Sequence, residues 1–411
     1  STVSSSAFMV MPSGDTAIRG AGSGRGFILG GNISPTGVTN SIEFVNIASI
    51  GSAQDFGDLT VDRMQTQGLS NSVRGVCAGG LGGDNNDKTT IDYAILSSSG
   101  GAVDFGDISN ARRTFVGAGQ ASNNTIGIIA GGYDNSDISP ARNISMVEFI
   151  IIDSTGDASD FGNLAAARTA AGAAASRTRG IVAGGQEPGT VTADIDYITF
   201  SSTGDSTDFG GDITDSRDFT AGLADQTRGI FGGGRITSPA TAGNVIDYIT
   251  MASGGDAKDF GDTRSTTLYY PMCLASSTRG ILASGTGGSP STSQIDFVTI
   301  ASTGNVVEFG TLSDNFGGVG ASNSTRGIFA GGYNPGLCNS ITYITIASAG
   351  NTSTFGDLTS NNRSLGSATS KTRACFIGGK TPSNSNVIQL SLIHISEPTR
   401  RYAISDAGLC L

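Results

Sequence analysis

Short runs with apolar residues on both parities recur along the chain. "IEFVNI", "IDYAIL", "VEFIII", "IDYITF", "IDYITM", "IDFVTI" and "ITYITI" appear in order. In "VIDYITM", Ile246 and Tyr248 face one way, and Ile249 and Met251 the other. This is the pattern of a strand covered on both sides. No stretch of ten residues keeps a helical period. The β-branched and aromatic content argues for strands bounded by Gly, Ser, Thr and Asn turns.

The runs belong to a repeat. "RGFILGG" at 25–31 returns as "RGVCAGG", "IGIIAGG", "RGIVAGG", "RGIFGGG", "RGILASG", "RGIFAGG" and "RACFIGG", at steps of 47 to 53 residues. A third motif follows each alternating run: "DFGD" (55–58, 104–107, 259–262), "DFGN" (160–163), "DFGG" (208–211), "EFGT" (308–311) and "TFGD" (354–357). An Arg comes next in six units (Arg63, Arg112, Arg168, Arg217, Arg264, Arg363), then a Gly/Ala/Ser-rich segment. Four short strands per unit at this period predict the blade of a β-propeller. The expected fold is all-β, with about seven four-stranded antiparallel blades. An eighth repeat is cut off; residues near the N-terminus could close a seven-bladed ring as a patch, and an eight-bladed ring or a longer array is the alternative.

Aromatics at fixed offsets support this reading. Phe44, Tyr93, Phe149, Tyr197, Tyr248, Phe297 and Tyr343 fill the third-strand slot. Phe56, Phe105, Phe161, Phe209, Phe260, Phe309 and Phe355 fill the fourth. Such regular placement suits packing between blades, each ring burying roughly 150–250 Å². The Gly-Gly pairs mark strand ends near a central channel, where the backbone approaches closely with unusual φ. No helix follows them, so they are not phosphate cradles. The recurring Arg residues and acids point to ion pairs within or between blades. Kinase-like, catalytic-loop or metal-binding readings of "DFGD" fail because the stretch recurs in every unit. Asp259 and Asp262 are therefore expected as turn residues or Arg partners.

The pattern resembles the kelch family: an apolar run ending in Gly-Gly ("IFAGG"), an aromatic in the third strand ("IDYITI"), a large aromatic in the fourth ("DFGD"), then an Arg. It departs in having no Trp, which kelch blades usually carry in the fourth strand. The resemblance spans residues 12–389, after an N-terminal extension at 1–11. The wording "RGIFAGGY … IDYITIASTGN … DFGDL" also resembles repeats in tail-fibre-like structural proteins of marine bacteriophages. From Leu390 the repeat stops in mid-unit. "LSLIHISEPTR" and "ISDAGLCL" look like a translated sequencing adapter, so 390–411 is expected to be a non-native tail on a metagenomic fragment. His394, the single His, and Cys410 fall within it.

Composition narrows the chemistry. A net charge of −11 without basic blocks argues against nucleic acid and anionic membranes as partners. No run of 18 apolar residues points to a transmembrane helix. The five cysteines (Cys77, Cys273, Cys338, Cys375, Cys410) lack metal-ligand spacing and read as small hydrophobes. With His394 set aside, Ser-His-Asp and Cys-His catalysis and most zinc and copper sites are excluded. A galactose-oxidase-type copper site, known on kelch propellers, is excluded with them. Carboxylates repeat in every blade, where a catalytic pair would occur once. The expectation is a non-catalytic protein without cofactor or metal.

Function is then expected on loops. The first-to-second and third-to-fourth turns read alike in every unit. The second-to-third loops differ: compare "LGGDNNDKTT", "YDNSDISPARNIS", "QEPGTVTAD" and "RITSPATAGNV". Variable loops on one face of a regular scaffold suggest a binding face. Asn32, Asp84, Tyr133, Asp134, Gln186, Arg235 and Tyr333 are the candidate ligand-binding residues, several of them just after Gly-Gly at the channel mouth. A glycan or protein surface is the expected partner, in a virion or extracellular setting. The alternative is a cellular or secreted kelch-like interaction scaffold, or an enzyme whose site lies in sequence beyond this chain.

Overall fold

A computed structural model describes residues 8–9, 31–33 and 37–377, apart from 46–49, 72, 97, 99, 114–119, 124, 135–141, 238–239, 265–267, 269–270, 284–292, 314–318, 323–324, 333–337, 359–360, 362–365 and 370–373. The extension at 1–11 (save 8–9) and the tail at 390–411 lie outside the described residues. The described residues form a β-propeller with no helix. Six complete four-stranded blades follow in order, here blades I (67–107), II (120–163), III (172–212), IV (221–262), V (272–311) and VI (319–357). In blade III the strands are Gly172–Ala175, Arg179–Ala183, Asp194–Thr199 and Thr207–Asp212, paired antiparallel in sequence order.

Two hairpins fill the gap between blades VI and I. Gly366–Thr369 pairs with Ala374–Ile377, and Ser41–Phe44 pairs with Gln54–Asp58. Ala374–Ile377 lies beside Ser41–Phe44, and Gly366–Thr369 lies between the first strands of blades VI and I. The ring thus has seven positions, six built from one repeat each and one shared by both ends of the described chain. Phe8–Met9 adds a parallel strand to Gly366–Ser367.

The "DFGD" stretch is the outer strand of each blade, and it carries a β-bulge. In blade I, Ile91 pairs with Gly106 and Asp92 with Asp104, which leaves Phe105 out of the ladder. The same shift occurs in blades II and IV to VI and in the 41–58 hairpin, and blade III, whose outer strand Thr207–Asp212 is one residue longer, shifts by two. The bulge explains why Val103 and Asp104 are both exposed while Phe105 is buried. It also leaves the Phe carbonyl without a partner in its own sheet. That carbonyl accepts from the next blade. Gly51, Gly100, Gly156, Gly204, Gly255, Gly304 and Gly350 N–H donate to Phe355, Phe56, Phe105, Phe161, Phe209, Phe260 and Phe309 at 2.6–2.9 Å. A second bond follows two residues on, as from Ala158 N–H to Asp107 O (2.8 Å). These staples run around all seven positions. They demand glycine: Gly162 has φ +143°, and a Cβ there would sit 2.3 Å from Gly204 O.

Asp259 and Asp262 are therefore strand residues of Lys258–Asp262 rather than turn residues. Their side chains are not the Arg partners either. The Asp262 N–H donates to Asn305 Oδ1 of the next blade (3.0 Å). Arg363 lies outside the described residues; the partner of each of the other five is the acid of the third strand in the following blade. Arg63 Nη2 meets Asp92 Oδ2 at 2.7 Å, and Arg112 Nη2 meets Glu148 Oε2 at 2.6 Å. Arg168 pairs with Asp196 and Arg217 with Asp247. Arg264 Nε meets Asp296 Oδ1 at 2.6 Å, and its Nη1 meets Glu308 Oε2 at 2.9 Å, the one fourth-strand acid so engaged among the described residues. Where the unit lacks the Arg, after "EFGT", the next third strand lacks the acid: buried Thr342 stands there. Donor and acceptor disappear together, as the cost of burying either alone requires.

Apolar packing joins the same neighbours. Phe161 and Leu164 of blade II cluster with Val182, Ile198 and Phe200 of blade III. Phe260 of blade IV clusters with Cys273, Leu282, Val298 and Ile300 of blade V. Phe56 of the 41–58 hairpin joins Ile328, Ile341 and Phe355 of blade VI to Cys77, Ala94 and Leu96 of blade I. Ile246 and Tyr248 face the cluster shared with blade V, and Ile249 and Met251 the one shared with blade III. Within each blade the third- and fourth-strand aromatics meet edge to face at 5.8–6.1 Å. The Arg that opens the second strand covers the third-strand ring, as with Arg179 at 4.4 Å from the Tyr197 centroid. Its Nη1 then reaches Met251 O in the next blade (3.0 Å).

Candidate functional site

The connector entering each blade folds back against the loop that follows Gly-Gly. The glycines set this geometry. Gly185 has φ +113°, where a Cβ would meet Thr169 O of the entering connector at 2.9 Å, and its N–H donates to Arg217 O of the connector leaving the blade (2.9 Å). Two residues past the recurring Arg, Gln65, Ala170 and Phe219 turn the connector with φ of 56°, 57° and 53°. These are non-glycine residues in the left-handed region, held there by the surrounding bonds.

The result, in blades I to IV, is one such antiparallel bridge per blade, on the face that carries the second-to-third loops. Met64 opposes Leu81, Arg113 opposes Tyr133, Thr169 opposes Gln186, and Asp218 opposes Arg235. The backbone bonds repeat closely: Tyr133 N–H to Arg113 O is 2.9 Å, Gln186 N–H to Thr169 O is 2.7 Å, and Arg235 N–H to Asp218 O is 2.8 Å. The side chains do not repeat. One bridge is apolar, one stacks a guanidinium on a ring (Arg113 to Tyr133, 5.2 Å), one is uncharged and polar, and one is an ion pair.

The ion pair is the most built of the four. Asp218 is fully buried and takes Arg235 Nε at 3.0 Å and its Nη2 in a two-pronged contact. The Arg235 guanidinium lies 5.1 Å from the Phe219 ring centre. Its side chain is 35% exposed, so the pair presents its cationic half to solvent. Burial raises the Asp218 carboxyl above its ordinary value, against the lowering effect of Arg235. Neighbouring blades are tied together on this face. Asp87 Oδ1 of blade I lies 3.6 Å from Arg113 Nε. Asn143 Nδ2 of blade II donates to Gln186 O of blade III at 2.8 Å. Thr190–Val191 of blade III lies beside Arg235–Thr237 of blade IV. The four bridges therefore form one continuous surface over blades I to IV.

Tyr133, Gln186 and Arg235 occupy equivalent places in this surface, as their position after Gly-Gly predicts. Asp84 is apart from them, at the tip of the blade I loop. It is exposed and paired with Lys88 Nζ at 2.6 Å, which with the Asn86 N–H lowers its carboxyl below the usual value. Asp134 does not suit a ligand contact: its side chain is fully buried, because the two-residue strand Tyr133–Asp134 turns alternate side chains to opposite sides. Asn32 lies on strand Gly31–Ile33, and its side chain is outside the described residues, as is all of Tyr333. Sequence reasoning missed the connector half of every bridge: Arg113, Thr169, Asp218 and the ring of Phe219. Their signal was available, since each follows the recurring Arg and differs from unit to unit. Cys77 and Cys273 are buried, and burial pushes both thiols up, consistent with packing roles. No group of three or more His, Cys, Asp or Glu able to hold a metal ion occurs among the described residues.

No protein-family model matches the chain, and no curated protein matches it.

Proposed function

We propose that the protein is a non-catalytic binding propeller whose blade I–IV surface engages a glycan or protein on a host cell, as a virion or tail-fibre-like component of a bacteriophage. The observation that carries this is the contrast between two kinds of position. Framework pairs repeat from blade to blade, namely the Phe–Gly staples and the Arg–acid bridges. On one face the same backbone bridge instead holds four different chemistries. A scaffold that needed the bridge only for stability would have no use for that variety. Half-buried guanidinium, phenol and amide groups, two of the guanidinium groups lying on aromatic rings, suit sugar hydroxyls and polar protein epitopes. The kelch resemblance supports a loop-presenting role, and the phage-repeat resemblance supports the virion setting.

Binding to glycan arrays and to marine bacterial cells tests the reading. Arg113→Ala, Tyr133→Ala and Arg235→Ala should each weaken binding at least several-fold. Substitutions on the opposite face, such as Ser202→Ala, should not. Equal binding by all variants refutes the assignment of this face, and absence of binding to any cell or glycan refutes the adhesive role.

A further inference from the structure

The buried Arg–acid bridges leave the same atom unsatisfied four times. Arg63, Arg112, Arg168 and Arg217 are at most 2% exposed. Each gives Nη2 to the carboxylate of the next third strand. In three of them Nη1 goes to a carbonyl at the start of that strand: Thr90 O at 2.6 Å, Asp194 O at 3.1 Å and Val245 O at 2.6 Å. In all four, the buried Nε–H has no acceptor among the described residues. Arg264 is the internal contrast. Its side chain is 31% exposed, and there Nε itself takes the carboxylate.

A buried, charged donor without an acceptor is costly, and four recurrences at one structural position exclude a local accident. The acceptor must be small, must fit between blades and must be uncharged, because each guanidinium is already neutralised by its carboxylate. An added anion would leave a net buried charge. We propose that each of these four interfaces holds an integral water molecule, accepting from Arg Nε and donating back to the bridge. At the Arg217–Asp247 interface Thr214 approaches the carboxylate with its hydroxyl and N–H, yet Asp247 Oδ1 is buried without a hydrogen bond of ordinary geometry. One water can join Nε–H to Oδ1 there and satisfy both. At the Arg63 and Arg112 interfaces Nη2 reaches the second-strand carbonyls Cys77 O and Ile129 O only at 3.3 Å, so the water can take the place of that weak bond and donate to the carbonyl. Glu148 makes the blade II site larger. Its longer side chain holds Arg112 so that Nη1 as well as Nε lacks an acceptor.

A crystal structure of the wild-type protein tests this directly. The expected result is water density about 2.7–3.2 Å from Nε of Arg63, Arg112, Arg168 and Arg217, and none at Arg264 Nε. Guanidinium groups turned so that Nε meets the carboxylate or a backbone oxygen, with no water, would overturn the proposal, as would an ion at these places. In solution, oxygen-17 relaxation dispersion of water counts long-lived internal molecules. The wild type should show at least four, and the Arg217→Met/Asp247→Leu double variant should show one fewer. An unchanged count in that folded variant would also overturn it.

Discussion

Replacing Arg63 by Met removes one partner of a fully buried bridge while keeping most of the aliphatic stem. At 2.7 Å and an effective dielectric constant of about 20, the attraction between Arg63 and Asp92 is about 6 kcal/mol. Most of this offsets the cost of taking both charges out of water. Without the guanidinium, Asp92 keeps the Thr60 N–H (3.1 Å) and Thr60 Oγ1 (2.6 Å) but remains a buried charge with no counter-ion. The expected loss is about 3–5 kcal/mol, a large part of a typical stability of about 5–15 kcal/mol. Arg63→Met/Asp92→Leu should recover most of it, because no charge is left behind and the exposed Thr60 turns to solvent. Urea unfolding followed by far-UV circular dichroism and tyrosine emission gives the comparison, since the chain has nine Tyr and no Trp. The reasoning fails if the single variant loses less than about 1 kcal/mol, or if the double variant is as unstable as the single losses added together.

Three further outcomes follow from the same geometry. Gly162→Ala should destabilise far more than Gly156→Ala: both glycines have positive φ, but a Cβ meets Gly204 O at 2.3 Å in the first case and open space in the second. Equal urea midpoints would refute the staple as the reason for the glycine. Phe161→Ala should cost about 3–5 kcal/mol by opening a cavity between blades II and III, measured by the same unfolding experiment. Burial raises Asp218 above its ordinary carboxyl value of 3.8, so the folded state holds that proton more tightly than the unfolded chain. Its stabilising contribution is full below the unfolded value and is lost as pH rises through the folded one. Midpoints of Asp218→Asn relative to wild type should therefore improve as pH rises from about 3 to about 6, and a flat difference refutes the shift.

Much of this was legible in the sequence because packing between identical units repeats itself in the chain. A Phe at a fixed offset must meet a like environment each time, so Phe105, Phe161 and Phe260 announced the inter-blade core. Gly-Gly announced a strand end under steric pressure, and the candidate positions after it, Tyr133, Gln186 and Arg235, share one surface. The joint loss of Arg and acid at Thr342 was also readable, and it identifies the true partner of the recurring Arg without coordinates.

Other features depended on which residues come face to face once twisted blades stack. The alternation in "VIDYITM" and the "DFGD" repeat determined that the chain makes four-stranded blades, because side-chain period and turn composition are local properties. The spacing determined roughly how many. Only the tertiary structure decided that the "DFGD" aspartates face outward while the third-strand acids take the arginines, because a bulge shifts the register by one residue at the Phe. Only it decided that the 41–58 and 366–377 hairpins share the seventh position, because ring closure joins segments far apart in sequence. The pairing of Asp218 with Arg235, and of Arg113 with Tyr133, was likewise settled by a connector folding back on its own blade. Local pattern specifies the unit, whereas contacts between segments remote in the chain specify its partners and the surface they build.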